Sequence, residues 1–264
     1  MFVTLGLTST ASLPRTHRAA LRPPIGEEAG GTKCQVVVIM SNLYLRAAGK
    51  LLQLPVVLAL FVFLPAGTFD YWEGWLFSAV FVACSLALTL YLAVNDPALL
   101  ERRMNAGPGA EQEPTQKTIM IGTLAALAAV PVLSGLDHRL GWSSVPTPAV
   151  IFGNILIVLS NVGFYRVFRE NTYGAATVQV VEGQSVISTG PYAVVRHPMY
   201  SWALVMMLGM PLALGSWWGL LAVTTAVAGI VARLLDEERF LAGHLAGYPE
   251  YKRKVRYRLV PIVW

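Results

Sequence analysis

Six apolar stretches set the terms on which this chain can fold. They run roughly 51–66, 74–94, 118–136, 149–168, 200–215 and 217–235. One helical crossing of a bilayer core takes about 20 apolar residues at about 1.5 Å each. The second, third and fourth stretches meet that length. The first meets it when extended back through Tyr44 and Leu45, with Arg46 and Lys50 snorkelling toward water. The last two are one run broken at Gly215-Ser216-Trp217-Trp218-Gly219. That run reads as a tight helical hairpin with both tryptophans at the far interface. Charged residues make up 13% of the chain, about half the usual globular share. Disorder, coiled coil and collagen are thereby excluded, since each needs far more polar or periodic sequence. The expected fold is an all-α integral membrane protein of about six transmembrane helices. It carries a small extended cap and a cytoplasmic C-terminal tail.

The bases sort by side. Residues 1–50 hold six of the 20 Lys and Arg, 95–117 three, 166–199 three, and the chain from Arg233 onward seven. The intervening connections hold only Arg139. The positive-inside rule therefore puts both termini, the 95–117 loop and the 166–199 segment in the cytoplasm. The net charge of +5 is explained by these loops, and no nucleic-acid partner is expected. Cys34 and Cys84 are poorly placed to pair, and no metal-ligand spacing, phosphate loop, dinucleotide fingerprint or nucleophile elbow occurs. Residues 1–39, rich in Thr, Ser, Pro, Arg and Gly without a signal-peptide core, read as a disordered leader or a mis-assigned start before Met40. Residues 40–147 form a three-helix region, and 148–264 the region that carries the chemistry. Ala175–Tyr192 is not helical in pattern and reads as a small β-hairpin or extended cap at the membrane surface.

Chemistry concentrates at three places. Arg196 and His197 precede Pro198, which suits a first helical turn, so they stand at a helix N-terminus that favours anions. An interface anchor and a helix cap would use the same two residues. Asp236-Glu237-Glu238 end the sixth helix, where acids oppose the macrodipole. If the hairpin sets 237–238 beside 196–200, a base and an acid meet at one depth. That pairing suits a zwitterion, with Arg196 for its carboxylate and a glutamate for its ammonium; a salt-bridge lock is the structural alternative. The tail from Lys252 to Arg258 has five bases in seven residues with a tyrosine among them, as a segment lying on anionic headgroups would. A lid folded back on the protein would use the same residues. Asn154 and Asn161 share one face of the fourth helix, as amides in helix–helix contacts do. His138, Asp70 and Glu73 lie on the far side and take no role.

Together these elements resemble a known family. Gly190-Pro191-Tyr192-x3-Arg196-His197-Pro198-x-Tyr200 is followed by about 36 residues of hairpin. Then come Glu237-Glu238-x2-Leu241, Gly247-Tyr248-x2-Tyr251 and Arg256-x-Arg258-x2-Pro261. Over roughly 165–264 this is similar to the isoprenylcysteine carboxyl methyltransferase and phospholipid methyltransferase superfamily. Arg169-Glu170-Asn171-Thr172 looks like its bacterial members, implying an inner-membrane location. The resemblance implies S-adenosylmethionine as methyl donor, held at the cytoplasmic face by Tyr192, Arg196, His197, Pro198, Tyr200, Glu237 and Glu238. Of these, Arg196, Glu237 and Glu238 would act in catalysis. Asn171 and Trp202, the latter where many relatives place a glycine, would meet the acceptor. That acceptor would be a lipophilic small molecule or a prenylated substrate, methylated at a carboxylate, thiol or amine, with membrane lipid as the other partner. Positioning and exclusion of water suffice for transfer from a sulfonium, with no metal required. Alternatives are a phospholipid N-methyltransferase and an NADPH-dependent membrane sterol-type reductase. A transporter fits less well, because ion-coupled pathways place acids within the spans.

Overall fold

A computed structural model describes residues 29–105, 107, 109, 114–174 and 184–264, with side chains from Ser41 onward. The helices are α1 (Ala29–Leu58), α2 (Leu64–Ala66), α3 (Trp72–Asn95), α4 (Pro97–Met104), α5 (Pro114–Leu140), α6 (Thr147–Glu170), α7 (Pro198–Ala213), α8 (Gly219–His244) and α9 (Tyr248–Lys254). A π-helical turn, Ala59–Phe63, joins α1 to α2 in one rod. It follows Pro55, which has no N–H to donate and crowds the preceding turn, so the hydrogen-bond ladder re-registers one turn later. Among the described residues five helices are long and apolar enough to cross a membrane: Ser41–Ala66 and α3, α5, α6 and α8. α7 is apolar but shorter. No strand occurs among the described residues. The chain is an all-α integral membrane protein.

α1 begins at Ala29, ahead of the boundary expected at residue 39, and residues 1–28 lie outside the described part. Most of the expected cap, 175–183, lies outside it too. The described remainder is not a β-hairpin: 184–189 has no regular structure and Gly190–Ala193 is a 3₁₀ turn. α4 is an element the apolar pattern does not announce. Pro97 sits in its first turn, and Asp96 Oδ1 accepts the Leu99 N–H at 2.8 Å, so Asp96-Pro97 caps it. Its buried face carries Leu99, Leu100, Arg103 and Met104.

The bundle pairs α6 with α7 and α5 with α8. The first pair packs backbone to backbone. A Cβ on Gly153 would lie 2.3 Å from the Ala213 nitrogen, and one on Gly163 2.0 Å from the Trp202 ring. Without a hydrophobic force between helices in lipid, such small-residue contact is what holds them. Gly153→Ala is therefore expected to destabilise the protein by about 1–3 kcal/mol, read as a lowered melting temperature in detergent. An unchanged melting temperature would mean that α6 and α7 do not pack this closely. Asn154 and Asn161 do not bridge helices through their Nδ2 groups, as the sequence had suggested. Each donates back to its own helix, to the Val150 carbonyl at 3.0 Å and the Ile157 carbonyl at 2.9 Å.

The two ends of the bundle are tied differently. At the hairpin-turn end, buried Asp137 accepts from the Ser143 N–H at 2.8 Å, from the Ser143 hydroxyl, and from the Ser216 hydroxyl at 2.5 Å. Beside it, Tyr71 donates to the Leu214 carbonyl and stacks on His138. These bonds clamp the α5–α6 and α7–α8 connections together. At the other end, Arg46 bonds Asn105, Lys50 the Met104 carbonyl, Arg102 the Thr172 carbonyl and Gln116 Asp236. Each of these bonds joins segments that the charge count assigns to one side.

Candidate active site

Pro198 opens α7 with His197 at its cap, where the His197 carbonyl accepts the Ser201 N–H at 3.1 Å, but the N–H groups of Arg196 and His197 point away from that helix. The tail holds them. The Arg196 N–H donates to the Tyr257 carbonyl and the His197 N–H to the Arg258 carbonyl, both at 2.9 Å. The Ser201 hydroxyl donates to the Leu259 carbonyl at 2.6 Å. Gly247, at φ 82°, turns the chain from α8 into α9, and residues 255–259 then run as a strap along the start of α7. The tail is thus folded back, and it does not simply lie on lipid headgroups. Arg253, Lys254 and Arg256 remain exposed.

Arg196 is buried. Its Nε donates to Glu238 Oε1 at 2.6 Å, and Nη1 to the carbonyls of Val255 at 2.9 Å and Arg256 at 2.8 Å. Glu238, 3% exposed, also has His197 Nε2 at 3.4 Å, Lys252 Nζ at 3.5 Å and Arg258 Nε at 3.2 Å. One carboxylate therefore gathers basic groups from the start of α7, from α9 and from the strap. Such a site fixes geometry through charge-assisted bonds.

Glu237 is turned about 100° from Glu238 around α8. Its Oε2 accepts the Tyr200 hydroxyl at 2.6 Å, and the Tyr200 hydroxyl oxygen in turn accepts the Arg233 Nε–H at 3.2 Å. Arg233 lies one helical turn before Glu237 on α8.

Glu237 also lines a cavity between the ends of α6 and α8, the 3₁₀ turn, the start of α7 and α9. It spans about 910 Å³ counted with the open space at its mouth. The expected residues Asn171, Tyr192, Arg196, His197, Pro198, Tyr200 and Glu237 all line it. Glu238 and Trp202 do not. Glu238 is enclosed by its bases, and Trp202 packs across Gly163 on α6. Asn171 donates to the Tyr192 hydroxyl at 2.9 Å, and Tyr251 donates to the Tyr192 carbonyl at 2.7 Å. Burial pushes the Tyr192 phenol up to about 12. Burial also raises Tyr248 and Tyr251, with the Glu238 and Glu237 charges adding to the rise at Tyr248. These phenols stay neutral at physiological pH and present donors and ring faces. Among the described residues Glu237 is the one acid lining the cavity, together with the aromatic side chains of Phe168, His197, Tyr192, Tyr200, Tyr248 and Tyr251. A carboxylate among π faces suits a cation.

Two buried arginines beside the cavity escaped the sequence reading. Arg103 reaches the site from α4, its guanidinium 4.7 Å over the Phe168 ring and its Nη1 3.2 Å from Met199 Sδ. Burial pulls it down to about 10, against the raising influence of Tyr192 and Tyr200. Only the Asp96-Pro97 cap and the spacing of Leu99, Leu100, Arg103 and Met104 could have revealed it. Arg233 was legible in principle, four residues before Glu237 on one helix face.

Residues 148–246, spanning α6, α7, α8 and every residue expected at the site, match the family model for phospholipid methyltransferase. No curated protein matches the chain.

Proposed function

We propose, from the membership of residues 148–246 in the phospholipid methyltransferase family, that this protein is an S-adenosylmethionine-dependent membrane methyltransferase. It acts on a lipid-soluble or prenylated acceptor at a carboxylate, thiol or amine, as isoprenylcysteine carboxyl methyltransferases do. The observation that carries the reading is the cavity lined by Glu237 together with aromatic side chains, at the base-rich end of the bundle. S-adenosylmethionine supplies a methyl group on a sulfonium whose leaving group is neutral. Glu237 holds the donor's ammonium, and the ring faces of Tyr192, Tyr200, Tyr248 and Tyr251 accommodate its positive charge. Arg196, locked on Glu238, shapes the wall at the start of α7 and does not serve as a free anion anchor. The Arg233–Tyr200–Glu237 chain fixes the Glu237 carboxylate.

α9 lines the cavity through Tyr248 and Tyr251 and so limits the water that reaches the transfer. The cavity opens to the cytoplasm of a bacterial inner membrane, with both termini on that side, in accord with the distribution of bases. A carboxylate acceptor is ionised at neutral pH and needs no base. An amine acceptor, as in a phospholipid N-methyltransferase, must lose a proton, and Glu237 is the group placed to take it. Calorimetric titration of the purified protein with S-adenosylmethionine and with its demethylated product tests the reading. Binding tighter than about millimolar is expected, with NADPH giving no heat. Absence of binding by both sulfur compounds would end it.

A further inference from the structure

The strap that holds Arg196 and His197 continues into a tight loop over residues 258–264. The Trp264 carbonyl accepts the N–H groups of Arg258 at 2.9 Å, Leu259 at 3.0 Å and Val260 at 3.2 Å. The Val260 carbonyl accepts those of Val263 at 3.2 Å and Trp264 at 3.1 Å, and Pro261 has none to donate. A loop whose backbone donors are paired within itself can leave water at little cost.

Its apolar side chains point outward. Ile262 is 86% exposed and Val263 78%, and Val260 and Pro261 are exposed beside them. Ile262 stands at φ 72°, the one non-glycine residue with positive φ among the described residues. A β-branched residue is strained in that region. The strain here presents an apolar side chain that the rest of the chain does not cover, which points to a contact outside the protein.

The depth of the loop follows from its bonds. The Ser201 hydroxyl donates to the Leu259 carbonyl at 2.6 Å, and Ser201 lies in the first turn of α7, the apolar helix that begins at Pro198. The loop therefore sits where α7 passes from water into hydrocarbon. On the approach to it Arg253, Lys254, Arg256 and Tyr257 are exposed. Arg253 pairs with exposed Glu250, and residues 252–264 include no acid. Exposed aliphatic side chains, flanked by bases and by Tyr257 and Trp264, complement a bilayer surface of anionic headgroups.

The loop is also coupled to the cavity wall. The Arg258 guanidinium lies 5.0 Å over the Trp264 ring, and its Nε is 3.2 Å from Glu238 Oε2, on the carboxylate that holds Arg196. Tyr257 and Arg258 supply the carbonyls that the Arg196 and His197 N–H groups use. A contact that fixes the loop from outside thus fixes the start of α7.

We propose that residues 260–263 dock into the anionic leaflet at the base-rich end of the bundle, with Lys254 and Arg256 on its headgroups, and that this docking holds the strap on Arg196 and His197. The charge of the membrane then sets how firmly the cavity wall is assembled, whatever ligand the cavity takes.

The full chain with Cys34→Ser and Cys84→Ser, and with Val263→Cys carrying a nitrobenzoxadiazole label, tests this in nanodiscs. One set is made of phosphatidylcholine alone and the other has an equal share of phosphatidylglycerol. In the anionic discs the label's emission should shift to the blue and be quenched by lipid bearing a nitroxide near its headgroup. In the neutral discs aqueous acrylamide should quench it instead. Lys254→Gln with Arg256→Gln removes two exposed charges, each worth about fivefold in attraction to an anionic surface, and should give the neutral-disc result in both sets. In unlabelled wild type, the Arg196 and His197 amides should exchange hydrogen about fivefold or more slower in anionic than in neutral discs. A label that acrylamide reaches equally in both sets overturns the docking. So does a label shielded equally in both, which would assign the loop to a second copy or another protein. Equal exchange of the two amides in both sets would overturn the coupling to the cavity wall.

Discussion

Glu238→Ala is expected to cost about 3–5 kcal/mol of stability, the range for removing one partner of a buried ion pair. The variant leaves the Arg196 guanidinium buried without its carboxylate, and at the same stroke releases His197, Lys252 and Arg258. Lys252 is too exposed for its contact to count for much. The loss comes from Arg196, buried with Glu238 and facing only the Val255 and Arg256 carbonyls once the acid is gone. The strap depends on the same centre, so its exposed bases should become sites of rapid tryptic cleavage. Denaturant unfolding in detergent and limited proteolysis read the two effects. A loss under about 1 kcal/mol, as for a surface pair, would show that Glu238 is no lock.

Glu237→Gln should do the reverse. A glutamine oxygen still accepts the Tyr200 hydroxyl, so the Arg233–Tyr200 chain keeps its partner and the melting temperature should move little. The negative charge facing the cavity is gone. Loss of a charged hydrogen bond to a ligand's ammonium is worth about 1.5–3 kcal/mol, roughly ten- to 150-fold in the dissociation constant for S-adenosylmethionine. Calorimetry on the folded variant reads this directly. If Glu237→Gln binds like wild type while Glu238→Gln does not, the two adjacent acids have the opposite division of labour.

Much of this architecture was legible without coordinates because the bilayer is an unforgiving solvent. Length, apolar character and the side preference of bases sufficed for the spans and for the hairpin broken at Gly215–Gly219. The motif from Gly190 to Tyr200 marked the site's position because a polar segment entering a helix through Arg-His-Pro has few structural reasons to exist. What only the coordinates revealed had physical causes as well. Trp202, read as a substrate contact, packs at Gly163 and is not among the residues lining the cavity, and nothing local shows that Gly163 lies opposite it. The basic tail left lipid anchor and folded-back lid both open, because five bases near a membrane satisfy the first whether or not a buried acid calls them back. α4 escaped because a short helix with one buried arginine has no apolar run to announce it.

The sequence by itself determined the class of the fold and the short segments that line the cavity. Those follow from composition and period, which each residue carries wherever it ends up. Only the tertiary structure decided which of Glu237 and Glu238 faces the cavity. Adjacent residues on a helix point about 100° apart, so the choice rests on the rotation of α8. That rotation is set by its packing against α5, where Gln116 holds Asp236 and Thr123 meets Gly229. The same packing turned Arg196 from an anion anchor into one half of a lock and brought Arg103 from outside the motif to the edge of the site.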